Sequence, residues 1–139
     1  MVELNQWHRG RLIDHVSLVV ADYEGCRRFY KAVLAVIGVP VVEGEDYFYA
    51  DELFVSPGEP KTGRAHLAFQ AADRETVERF YEAALANGGR DHGAPGPRDY
   101  HPGYYAAFVL DPEGNNIEAV THGPAKRSAP SVVLTDDSH

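Results

Sequence analysis

The sequence predicts an α+β fold built from two tandem βαβββ modules. Three observations point to it. The chain repeats itself at an offset of 51 residues (66 − 15). Each repeat opens with an apolar strand leading into an amphipathic helix. Shorter extended segments follow each helix.

The repeat is read by placing residues 14–38 (DHVSLVVADYEGCRRFYKAVLAVIG) over residues 65–89 (AHLAFQAADRETVERFYEAALANGG), with His15 above His66. The two agree at 11 of 25 positions, where unrelated segments of ordinary composition share about one or two. Residues 12–20 (LIDHVSLVV) and 65–71 (AHLAFQA) are apolar and β-rich, as buried first strands require. Asp22 and Asp73 stand at N-cap positions, and Glu24 and Glu75 fall in the first turns, where the helix dipole favours negative charge. Cys26, Phe29, Tyr30, Val33, Leu34 and Ile37 share one face of the first helix. Val77, Phe80, Tyr81, Ala84 and Leu85 do the same in the second. Gly38 and Gly88-Gly89 stop the helices.

Three extended segments follow in each half: 39–43, 46–50 and 52–56, then a weak 89–92, 104–110 and 115–121. Asp111-Pro112-Glu113-Gly114 joins the last two with the residue placement of a tight turn. Residues 93–103 (GAPGPRDYHPG) read as a Gly/Pro-rich loop. One domain therefore spans 1–122, with module 1 at about 11–57 and module 2 at about 64–122, and 123–139 form a C-terminal tail expected to be flexible.

Composition narrows the function. With 139 residues and 44% hydrophobic content, the chain can fill one core. Its net charge of −8 repels a phosphate backbone, so neither nucleic acid nor an anionic membrane is expected as a partner. No apolar run is long enough to span a bilayer, and no basic segment followed by an apolar one opens the chain. The single cysteine, Cys26, lies on the apolar helix face and fits a reducing compartment, so a cytoplasmic location is expected. There is no phosphate-binding glycine loop, Cys-X-X-Cys pair or nucleophile elbow.

Paired βαβββ modules, a histidine in the first strand of each and a closing D-P-E-G-N-N-I-E strand resemble the vicinal oxygen chelate superfamily, over about residues 11–122. That superfamily includes glyoxalase I, extradiol dioxygenases, fosfomycin-resistance enzymes and bleomycin-binding proteins. YHPGYYAAFVLDPEGNNIEAV looks most like its glyoxalase/bleomycin-resistance group. The resemblance implies the glyoxalase/bleomycin resistance/dihydroxybiphenyl dioxygenase fold, in which the two modules form a cupped mixed sheet and ligands from the first and last strands of each module meet inside the cup. Carried over by position, His15, His66 and Glu118 are the implied metal ligands. Glu52 is the weaker fourth candidate, laid over Glu118 because both precede an apolar residue in a closing strand.

Two histidines and a carboxylate suit a divalent ion with open coordination positions, such as Zn, Ni, Mn or Fe. The leading expectation is a metal-dependent lyase or isomerase acting on a small oxygenated metabolite, with Glu118 also catalytic by analogy with glyoxalase. His101 and Tyr104, in the polar aromatic stretch 98–105, are weaker acid/base or orienting candidates. Arg98, Tyr100, Tyr105 and His122 are candidate substrate contacts. A metal-free small-molecule binder of the bleomycin-resistance type is the alternative, suited by the acidic balance and eight tyrosines. Iron-dependent ring cleavage is a second alternative, weakened by the presence of only one pair of modules. The expected partners are a small molecule and a second copy of the chain, because curved sheets leave edges and an apolar rim to cover.

Overall fold

The computed structural model describes residues 6–123 and 125–135. Strand β1 (Gln6–Arg9) precedes the first module, which comprises β2 (Val16–Val20), α1 (Tyr23–Val36), β3 (Val42–Glu43), β4 (Phe48–Ala50) and β5 (Leu53–Pro57). The second module comprises β6 (His66–Gln70), α2 (Arg74–Ala86), β7 (Arg90–Pro97), β8 (Tyr105–Leu110) and β9 (Asn116–Thr121), and β10 (Val132–Thr135) follows it. Each module forms a four-stranded mixed sheet, in the orders β2-β5-β4-β3 and β6-β9-β8-β7. In both, the first strand is an edge strand that runs parallel to the last and antiparallel pairs complete the sheet.

The repeated caps act as the sequence predicts. The Asp22 carboxylate accepts the Gly25 N–H at 3.0 Å, and the Asp73 carboxylate accepts the Thr76 N–H at 2.8 Å. Each satisfies an N–H that the helix itself leaves unpaired. Gly38 and Gly88 leave the helices at φ 82° and 93°, the left-handed region open to glycine. Cys26, Phe29, Tyr30, Val33 and Leu34 are buried on α1, as are Thr76, Val77, Phe80 and Ala84 on α2, and one continuous core runs through both modules. Leu85, expected on the apolar face, is instead 42% exposed.

The helices also join the modules. Phe29 packs so close to Gly89 that a Cβ there would lie 2.8 Å from its ring. Arg28 donates to the Ala86 carbonyl at 3.0 Å, placing a cation at the negative end of α2. Glu113, in the turn before β9, accepts the N–H groups of Ala21 and Asp22 just ahead of α1.

Two segments depart from the sequence reading. The Gly/Pro-rich stretch extends β7 to Pro97 rather than forming a loop from 93, with register shifts at Asp91/Gly93 and Gly93/Gly96. An edge strand tolerates proline, and bulges accommodate glycine, here Gly93 at φ 148°. The tail, expected to be flexible, places Val132–Thr135 antiparallel to β1. Among the described residues no helix is long and apolar enough to cross a membrane.

Candidate functional site

His66 starts β6, paired with Asn116 of β9, and Glu118 lies two residues further along β9. Alternation puts both side chains on the sheet face opposite α2. The His66 Nε2 sits 2.9 Å from the Glu118 Oε1. Glu118 is 2% exposed, and a carboxylate so buried is costly unless its oxygens are satisfied. The Tyr104 hydroxyl, just before β8, donates to the other oxygen, Oε2. Burial first, and then this contact with the Glu118 carboxylate, push the Tyr104 phenol up to about 12. Tyr104 therefore stays a proton donor throughout the neutral range.

The polar aromatic stretch surrounds this trio. Tyr100, 69% exposed, meets Tyr104 edge-on at 4.8 Å. His101 Nε2 lies 2.9 Å from His122 Nδ1, and both rings face the Tyr104 ring at 5.4 and 5.2 Å. His101 and His122 thus stand together against Tyr104. Arg98 spans the bulged end of β7, donating to the carbonyls of Ala94, Gly96 and Pro97, and lies over the Phe108 ring at 5.3 Å. Tyr105 is on the opposite face of β8. Its hydroxyl donates to Glu78 of α2 at 2.6 Å, and Arg74 covers its ring at 4.6 Å, so it does not join the trio.

His15 stands just before β2, beside the first module's own cleft. That cleft, about 460 Å³, is lined by Arg9, His15, Ser17, Tyr49, Glu52 and Phe54, among others. His15 Nδ1 lies 2.8 Å from the Asp14 carboxylate, and this hydrogen bond holds the Asp14 carboxyl below its usual range. Glu52 therefore shares a cleft with His15, but the register corrects its alignment with Glu118. Val16 pairs with Leu53 and its repeat equivalent Leu67 pairs with Ile117, so Glu52 corresponds to Asn116 and Phe54 to Glu118. The first module has an apolar side chain where the second has its carboxylate. Among the described residues no three His, Cys, Asp or Glu side chains lie together as a metal-holding group, so one chain brings together His66 and Glu118 without His15.

Sequence reasoning missed Arg9, Ser17, Tyr49 and Phe54 in the first cleft. The two-residue alternation from His15 to Ser17 and from Glu52 to Phe54 was the available signal. It also missed Arg127, which reaches from the tail to the Gln70 side chain at the end of β6.

The profile of the Glyoxalase/Bleomycin resistance protein/Dioxygenase superfamily matches residues 12–119. The uncharacterized protein YqjT of Bacillus subtilis (strain 168) is 32% identical, across 78% of this chain and 97% of its own. A glyoxalase/bleomycin resistance protein from Albidiferax ferrireducens T118 is 31% identical with a TM-score of 0.65, again covering 78% of this chain and 97% of that one. A lactoylglutathione lyase from Agrobacterium tumefaciens shares the fold at 17% identity and a TM-score of 0.57, covering 79% and 92%.

Proposed function

The chain belongs to the Glyoxalase/Bleomycin resistance protein/Dioxygenase superfamily, and from that premise we propose that it is a metal-dependent enzyme of the lyase or isomerase type acting on a small oxygenated metabolite. The observation that carries this reading is the His66–Glu118 contact at 2.9 Å, with the carboxylate 2% exposed. An imidazole nitrogen and two carboxylate oxygens converging on one sheet face are a donor set that fits a divalent ion.

One chain brings together two of the three proposed ligands. His15 is the remaining imidazole, it is 63% exposed, and Leu12 and Ile13 beside it are 90% and 46% exposed. Both β2 and β6 are edge strands. We therefore assign the protein as a homodimer in which His15 of one protomer completes the His66–Glu118 pair of its partner. A cytoplasmic location accords with the one cysteine, Cys26, being a buried free thiol.

When bound, a divalent ion would polarise a substrate carbonyl and lower the barrier to proton loss beside it. His66, Glu118 and His15 would hold it. Glu118 also presents a carboxylate oxygen that can take up and return a proton. Tyr104 orients that oxygen and, with its phenol at about 12, donates without ionising. His101 and His122 flank Tyr104.

Elemental analysis of tag-free protein, followed by hemithioacetal isomerisation with and without chelator, tests the reading. Bound divalent metal and chelator-sensitive turnover are expected. Protein that purifies without metal, and whose behaviour ignores both added metal and chelator, would instead favour metal-free sequestration of a flat ligand. One observation supports that second reading: Tyr47 and Phe54 stack with centroids 5.4 Å apart, and Tyr49 and Phe54 line the first module's cleft.

A further inference from the structure

Beyond the His66–Glu118 pair, the second module carries a cleft of about 360 Å³ whose walls include Arg74, Arg98, Asp99, His101 and Tyr104. Its lining is opposite in sign to the rest of the molecule. The chain carries a net charge of −8, yet two guanidiniums face this cleft against one carboxylate, Asp99. Among the described residues neither arginine forms an ion pair. Arg74 lies over the Tyr105 ring, and Arg98 donates from Nη1 and Nη2 to backbone carbonyls, which leave its positive charge uncancelled. Glu78, one turn along α2 from Arg74, is engaged by the Tyr105 hydroxyl. Tyr104 belongs to both places, lining the cleft with its body while its hydroxyl reaches Glu118.

We infer that this cleft binds the oxyanion of a small anionic ligand, a carboxylate or a phosphate, with Arg74 and Arg98 as the charged contacts and Tyr104 as the link to the Glu118 site. Guanidinium pairs suit such groups because their forked N–H donors match the planar or tetrahedral oxygens. The assignment rests on the proposed function only in making the oxyanion part of the substrate; the two guanidiniums attract an anion whether or not a metal is bound. It narrows the substrate to an acid or phosphoester rather than a neutral carbonyl compound.

The test uses chelator-treated, isotope-labelled protein, so that anion binding is read apart from metal binding. Amide shifts of residues 96–104 are followed by NMR during titration with pyruvate, inorganic phosphate and the neutral pyruvamide. Pyruvate or phosphate should move these amides saturably, pyruvamide should not, and the tighter of the two anions identifies the oxyanion. Arg74→Gln should weaken the response about tenfold. Arg98→Lys keeps the charge but loses the fork and should weaken it as well, while Arg79→Gln, on the exposed side of α2, should leave it unchanged. Shifts scattered over the surface, a response to pyruvamide equal to that of pyruvate, or full binding in Arg74→Gln would overturn the inference. Saturable anion binding in a protein that never takes up metal would leave this cleft standing and remove the metal-dependent reading.

Discussion

Tyr30 of α1 donates its hydroxyl to the Asp111 carboxylate at 2.5 Å, joining the first module's helix to the turn that closes the second. Asp111 also accepts the N–H groups of Glu113 and Asn115 and the Asn115 side-chain amide. Both residues are buried, and burial above all, then the Asp111 charge, hold the Tyr30 phenol well above its ordinary value. Tyr30→Phe removes one of four donors and should cost about 1–3 kcal/mol. Asp111→Ala strands all four and should cost more. Urea unfolding checks both, and equal midpoints for Tyr30→Phe and wild type would show that the contact contributes nothing.

The Glu113 contact between modules makes stability depend on pH. Burial raises the carboxyl pKa, but the N–H groups of Ala21 and Asp22, then Lys61, outweigh it and hold the value below 4.5. A folded-state pKa below the unfolded one means the charged form stabilises the fold. That contribution is complete above about pH 4.5 and is lost as pH falls through the depressed folded value. Glu113→Gln should therefore melt below wild type at pH 7, with the gap closing toward pH 3. A constant gap across that range would assign the loss to packing.

Much of this architecture was legible because it is local and doubled. His15 and His66, Asp22 and Asp73, and the two helix faces are each written twice. The His66–Glu118 meeting was legible too, since a parallel first and last strand bring them to one face. The exact register was not. Glu52 and Glu118 look alike in sequence, yet unequal connections before β5 and β9 place Phe54, not Glu52, opposite Ser17, as Glu118 is opposite Ala68. Tyr104 and Tyr105 are adjacent, so they face opposite ways, and only the pairing of Phe108 with Glu118 shows which side is which. β10 escaped notice because its partner lies at the other end of the chain.

That register makes a specific forecast. If Phe54 occupies the place equivalent to Glu118, then Glu52 is not a ligand, and Glu52→Gln should leave the affinity for added Zn or Ni within about twofold of wild type. Glu118→Gln should lower it sharply. A competition titration against a chromogenic chelator reads both. An equal loss in the two variants would restore Glu52 as a fourth ligand.

Tyr104→Phe separates orientation from metal holding. The lost hydroxyl leaves Glu118 Oε2 without its donor, and outer partners of this kind are worth roughly 10–100-fold in metal affinity or activity. The expected result is retained metal with reduced kcat, because the carboxylate is no longer held in one orientation. Wild-type kcat beside a reduced melting temperature would mark Tyr104 as a packing residue.

The last forecast concerns whose His15 completes the site. In one chain His66 and Glu118 meet without it, so the proposed site needs two protomers. His15→Ala and His66→Ala should each abolish tight metal binding, and chelator should lower the melting temperature of wild type but of neither variant, since a metal that binds only the folded state stabilises it by mass action. Mixing the two variants after co-refolding then distinguishes the arrangements. A heterodimer pairs the intact His15 of the His66→Ala protomer with the intact His66 and Glu118 of the other, rebuilding one site, while its second site lacks both histidines. Random pairing makes about half the dimers mixed, each with one of two sites, so about one quarter of wild-type metal binding and activity should return. A site contained within one chain predicts no recovery at any mixing ratio. A monomer by light scattering at micromolar concentration would likewise exclude the shared site.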